Sequence, residues 1–182
     1  KRDGVNAFGT LQMSGTGPTL SAPSGYAVAF KTAGTERMRV RDTGVGIGVT
    51  DPGYDLEIQG SSGGDLSLIT SDTAITDGDV FGTIYFGGRD SDHTGVGAKI
   101  VGKSKYTWGD HGGGANDSPG ELHFFTQADG AGDSMTSPRM VIGHSGNVGI
   151  GTTEPGETLH LYSSDNVEPT LKLESGTTGN QG

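Results

Sequence analysis

The sequence predicts an all-β chain of short strands joined by tight turns, and three observations carry that prediction. Glycine makes up 35 of the 182 residues, against about 7% in ordinary globular chains; many turns would use this excess, because glycine reaches positive φ without steric cost. Apolar and polar residues alternate with period two in one short stretch after another, as in half-buried strands. No window of eleven or more residues carries the 3.6-residue period of an amphipathic helix.

Taken in order, the first strand is expected within 25–31, around Val28 and Phe30. In 37–41, Met38 and Val40 fall on one face, and Arg37, Arg39 and Arg41 on the other. Residues 55–59 repeat that pattern with Leu56 and Ile58 on one side and acidic or amide groups opposite. Further strands are expected at 65–70, 82–86, 97–103, 121–126, 158–162 and 170–174. Between them stand turn signals at 51–53, 73–78, 112–120, 129–132 and 154–156, rich in Gly, Pro, Asp and Asn.

Two of these stretches are copies of one another. Val45, Gly46, Ile47 and Gly48 match Val148, Gly149, Ile150 and Gly151; Pro52 matches Pro155, and Leu56 matches Leu159. Upstream, Arg37 and Met38 match Arg139 and Met140 once one residue, such as Asn147, is inserted into the second turn. A pattern held over more than twenty positions is a repeat, and it divides the chain into the end of one unit (1–61), a complete unit (62–164) and the start of another (165–182). Stacked units describe this better than independent domains.

Composition narrows the function classes. Only 30% of residues are hydrophobic, so one chain buries little surface against its ordering entropy, and neighbouring chains are expected to complete its cores. The net charge of −10 argues against nucleic acid or an anionic membrane as the main partner. The absence of cysteine removes disulfides and thiolate metal sites. No apolar stretch approaches the roughly 20 residues of a membrane-spanning helix. The opening residues hold no apolar core of a signal peptide, and both ends fall in mid-pattern, so a piece of a longer chain is expected.

The run Glu36, Arg37, Met38, Arg39, Val40, a turn, then Gly146, Asn147, Val148, Gly149, Ile150, Gly151, Thr152 and a proline two positions beyond Thr153 resembles a pattern of bacteriophage tail fibres and related virion appendages. In many of these the pattern recurs along a shaft or precedes a self-cleaving intramolecular chaperone. The segment around Val80 to Asp90, with Gly97 to Ile100, Trp108 and Leu122 to Thr126, looks like the body of such a repeat. The resemblance covers roughly 35–173. It implies an elongated, intertwined parallel homotrimer, located in the virion and exposed outside the cell, with itself, other tail or fibre proteins and a host-surface glycan as partners. Val49 replaces the usual threonine, the first copy lacks the asparagine, and no serine–lysine dyad can be placed, so autoproteolysis is not carried over. In 45–48 and 148–151 side chains alternate with hydrogens, which permits close backbone approach on the glycine face; a contact between chains near a three-fold axis is expected there.

Other motifs tempt. Residues 97–104 satisfy the pattern of a phosphate-binding loop, but no helix can follow, so a strand is expected instead. Gly44, Gly46, Gly149 and Gly151 imitate half of a dinucleotide fingerprint and are read as turns. Acidic groups at Asp77, Asp79, Asp90, Asp92 and Asp110 read first as solvated turns, with a cation as the alternative. The five histidines form no i, i+2 or i, i+4 pair, and most are expected at the surface. The arginine stripe is either solvated or paired with acids such as Asp55 or Glu57. Tyr106 and Trp108, beside a glycine-rich loop, are the candidate glycan contacts, since aromatic faces stack on sugars; for Trp108 the competing role is a core plug. No catalytic residue, metal or cofactor is expected. The expected function is a structural segment of a tail fibre supporting host attachment. The alternatives are a carbohydrate-binding or depolymerising appendage, and a bacterial adhesin or contractile-injection fibre.

Overall fold

The computed structural model describes residues 10–14, 17–22, 24–91, 94–109, 117–129, 135–164 and 168–173. Among these the regular structure is twelve β-strands with no helix, as the alternation predicts. The chain divides into two compact units, Lys1–Ser67 and Leu68–Gly182. This division falls within the 65–70 stretch, a few residues beyond the repeat boundary drawn at 61.

The first unit holds an antiparallel hairpin of β1 (Thr10–Ser14) and β2 (Gly17–Ser21). It also holds a four-stranded sheet in the order β3 (Val28–Thr32), β4 (Thr35–Arg41), β5 (Gly44–Ile47) and β6 (Leu56–Ile58). The second unit is a six-stranded sheet. Its long strands β7 (Val80–Arg89), β8 (Thr94–Ser104) and β9 (Gly120–Thr126) are followed by the short β10 (Met140–Ile142), β11 (Val148–Ile150) and β12 (Leu159–Leu161), all neighbours in chain order.

The two copies of the repeat fold alike. β4–β5 and β10–β11 are antiparallel, whereas β5–β6 and β11–β12 are parallel, joined by an arch that crosses the sheet. Three backbone hydrogen bonds recur at equivalent positions. Val45 N–H donates to Asp55 O (2.8 Å) as Val148 does to Thr158 (2.9 Å). Gly48 donates to Arg37 (3.0 Å) as Gly151 does to Arg139 (3.1 Å), and Gln59 donates to Ile47 (2.8 Å) as Tyr162 does to Ile150 (2.9 Å). The pairing Val40–Val45 closes over residues 41–44, while Ile142–Val148 closes over 143–147, so the second turn holds the one extra residue that the sequence comparison requires.

Two expected strands are absent. Residues 65–70 form no ladder, and Leu66 and Ile69 are exposed there; alternation alone makes no strand without a partner for its N–H and C=O groups. Residues 170–173 are likewise irregular, and the remainder of that stretch lies outside the described residues. The phosphate-loop pattern at 97–104 lies within β8, paired on both sides, as the alternation of Ala98, Lys99, Ile100 and Val101 implies.

The single-chain core is small. Among the described residues the buried large apolar groups are Ile75, Val101, Phe125 and Val141, of which only Val141 is fully enclosed. Val101 and Val141 lie on the same face of the six-stranded sheet, because both are in register with His123.

Candidate functional site

The glycines of the repeated motif have a defined use. In each arch the chain leaves the strand and turns back across the face that bears the central glycine. A Cβ placed on Gly46 would stand 2.5 Å from Val49 O, and one on Gly149 would stand 2.6 Å from Thr152 O and 3.5 Å from Pro155 Cβ. Gly48 and Gly151 take φ of +74° and +78°, against the carbonyls of Gln59 and Tyr162. The close approach that these glycines permit is therefore made within the chain, by its own arch. Gly46 and Gly149 are buried beneath it, as is Pro52 in the first copy.

Polar groups hold each arch down. Arg39 forms a two-pronged ion pair with Glu36 (2.7 and 2.9 Å) and donates to Thr50 O (2.9 Å), while Arg41 pairs with Asp51. The guanidinium of Arg39 holds the Glu36 carboxyl below its ordinary range, and Glu36 raises Arg39 in turn. The arginine stripe is thus paired, though with Glu36 and Asp51 rather than Asp55 or Glu57; Arg37 donates to the Thr32 hydroxyl. In the second copy the extra residue Asn147 donates its side-chain amide to Pro155 O (3.2 Å). Lys105 reaches Glu154 (2.6 Å) and the buried Glu121 (3.7 Å), whose other oxygen meets His123 Nε2 at 2.9 Å. Lys105 is held above its ordinary pKa, chiefly by its hydrogen bond to Glu154 and further by the charge of Glu121.

Opposite the arches, each sheet presents a face made almost wholly of apolar side chains. In the first unit the register places Val28, Val40, Val45 and Leu56 in one row, and Phe30, Met38, Ile47 and Ile58 in the next. In the second, Ile84, Ile100, Phe124, Met140, Ile150 and Leu161 form a row across all six strands, flanked by Leu122, Ile142, Val148 and Leu159. Much of this face is open. Ile84, Phe86, Leu122, Ile150 and Leu159 are 42, 52, 38, 45 and 51% exposed, and Phe30, Val40, Ile47 and Leu56 are exposed in the first unit. Of the eight motif residues, then, Val45, Ile47, Val148 and Ile150 belong to the apolar faces. Of the motif glycines, Gly46 and Gly149 lie beneath the arches, while Gly48 and Gly151 make the turns into them. Sequence reading isolated the motif but not the rows it joins, since the alternation in each strand leaves open which strands are neighbours.

Tyr106 and Trp108 do not share a surface. The Tyr106 ring is half-buried with its edge to His144 (centroids 5.0 Å apart), whereas Trp108 is 41% exposed and leans on Phe81 at 5.2 Å. Trp108 lines a shallow recess of about 260 Å³ with Ile75, Thr76 and Thr107. Asp79 accepts from the backbone and hydroxyl of Thr76 (2.7 and 2.9 Å), which lowers its pKa and makes it a turn cap. His123 is buried, contrary to the expectation for the histidines; His144 is exposed, and His160 is half-buried and accepts from Gly156 N–H. Asp92, His93, Asp110 and His111 lie outside the described residues. Among the described residues no three acidic or histidine side chains gather as a metal site would require. No family model matches this chain, and none of the curated proteins does.

Proposed function

We propose that this chain is a non-enzymatic structural segment of a homotrimeric virion appendage of the tail-fibre kind, supporting attachment to a host surface. The observation that carries the reading is the open apolar face opposite the arches, present in both units. At about 200 Å² for a fully exposed large side chain, the five exposed residues of the second unit offer about 460 Å² of apolar surface. A standard interface covers about 800 Å² per partner, of which roughly 60% is apolar, or about 480 Å². One such face is therefore close to what one self-association needs, and it is of the size of the largest apolar patches on monomers, about 300–600 Å², which are often functional. Three copies turning it to a common axis would share a core that each lacks alone, and the resemblance of the repeat motif supports three. The acidic surface would keep such a rod soluble.

Light scattering after size exclusion, on the longest natural chain containing this segment, tests the reading. A mass of three chains supports it, and a stable monomer at micromolar concentration overturns it. The second reading, a glycan-binding module, has the half-exposed Trp108 beside its recess in its favour. Trp108→Ala that abolishes glycan binding while preserving the fold would favour it.

A further inference from the structure

A second feature lies on the arch side of the six-stranded sheet. There Tyr85, Lys99, Val101, Lys103, His123 and Phe125 line a half-open cleft of about 520 Å³, with the hydroxyl groups of Thr83, Thr136 and Thr153 around it. This is the size of a small-ligand site. Val101, His123 and Phe125 form a buried floor, while Tyr85 is 64% exposed and offers a ring face at the rim. Lys99 Nζ stands over the Phe125 ring, 4.5 Å from its centroid. Lys103 approaches Gly78 at the other end. Four residues of strand separate the two lysines, or about 13 Å at the usual rise.

The electrostatics of this cleft run against the rest of the chain. The protein carries a net charge of −10, yet among the described residues no carboxylate lies within ion-pair distance of Lys99 or Lys103. The neighbouring carboxylates are otherwise engaged: Glu121 holds His123 and faces Lys105, and Asp77 acts on Lys105. Two ammonium groups with no carboxylate partner among the described residues thus flank an apolar floor, an aromatic face and three threonines. A cation beside a carboxylate supplies charge-assisted hydrogen bonds, hydroxyls suit hydroxyls, and aromatic faces suit the C–H faces of sugar rings. A nucleic acid brings a dense line of phosphates that the chain's net charge of −10 disfavours, whereas a ligand with sparse negative charge can be met by the two lysines.

We propose that this cleft binds a carboxylate-bearing saccharide, with Lys99 and Lys103 each taking an acidic group and Tyr85 stacking on a ring. The site is separate from the apolar face and from the Trp108 recess, and it stands whether the chain is a trimer or a monomer.

Titration calorimetry at low salt, with pentagalacturonate and trisialic acid as acidic probes and maltopentaose as the neutral one, tests this on the longest natural chain. Binding of an acidic probe but not of maltopentaose is expected, weakening as salt rises. Lys99→Gln and Lys103→Gln should each weaken it about tenfold, the loss of one charge-assisted hydrogen bond. Lys99→Arg, which keeps the charge, should retain it, and unchanged melting midpoints in all three variants show that the fold is intact. The proposal is overturned if neither acidic probe binds, if maltopentaose binds equally well, if the glutamine variants bind like the parent, or if a short DNA duplex binds more tightly than either probe. Light scattering on the same samples separates this from the fibre reading: a trimer that binds no acidic probe fails only here.

Discussion

Ile150 offers the sharpest test of the apolar face. It lies in the row that runs across the six-stranded sheet, and 45% of it is exposed in the single chain. Full burial of such a side chain contributes about 1.5–3 kcal/mol, so covering the exposed part contributes about 0.7–1.4 kcal/mol per copy and about 2–4 kcal/mol for three. Ile150→Asp forfeits that gain and adds the cost of desolvating a carboxylate wherever a partner covers it, an effective penalty of several kcal/mol per ion. The combined loss exceeds about 4 kcal/mol, so the association constant should fall by about a thousandfold or more. Sedimentation velocity at micromolar concentration should then show single chains where the proposed assembly predicts a three-chain species for the parent. Tyr85→Asp is the control, because Tyr85 is exposed on the opposite face and its loss should leave the mass unchanged. If Ile150→Asp retains the mass of the parent assembly, the apolar face is not the seam and the argument from exposed area fails.

Three further outcomes follow from the arches and the turn before β7. Gly149→Ala, whose Cβ would meet Thr152 O at 2.6 Å, should lower stability by about 1–3 kcal/mol in a denaturant melt. Gly146→Ala, with φ of +85° but open space around it, should cost only the left-handed strain of about 1 kcal/mol; equal losses would refute the clash. Lys105 has a folded pKa raised above 10.5, so its contribution is fully present below that value and is lost as pH rises through the folded pKa. Lys105→Met should therefore be less stable at neutral pH and lack that alkaline loss in a pH series of thermal melts. Asp79 has a folded pKa below 3.8, so its contribution is present above that value and is lost as pH falls through the folded pKa. Asp79→Asn should flatten the acid limb of the same series, and an unchanged limb would show that its bonds to Thr76 contribute nothing.

Most of the longer strands were legible because alternation is a local property, whereas β1, β2 and the three-residue β10 were not among those expected. Met38 and Val40, or Leu122 and Phe124, announce a face without knowledge of their neighbours. The repeat was legible too, down to the one-residue insertion, because the arches need glycine at fixed places and proline to end the strand. What a single strand cannot reveal is its partner. The parallel pairing of β11 with β12 brings Leu159 and Leu161 into the rows of Val148 and Ile150 through an arch that no periodicity encodes. Residues 65–70 mislead for the converse reason, since their alternation is sound but no strand lies beside them. The cleft escaped notice because Lys99 and Lys103 become neighbours of His123 and Phe125 only through the β8–β9 register.

That register couples the two surfaces. In β8, Ala98 and Ile100 face the open apolar side, while Lys99, Val101 and Lys103 face the arches, so a slip of one residue against β9 would exchange them and set two ammonium groups into the apolar row. The irregularities in the β7–β8 pairing, between Val80 and Gly82 and between Phe86 and Gly87, bracket the stretch where the exchange would matter. At the first of them lies Phe81: a Cβ on Gly102 would meet its ring at ordinary contact distance (3.9 Å), whereas one on Gly120 would stand tightly against it at 3.3 Å, and Trp108 packs on it at 5.2 Å. Gly120→Ala would require Phe81, which sits at the β7 irregularity, to shift by a few tenths of an ångström. Such a change should disturb the apolar face and the cleft together, though it touches neither.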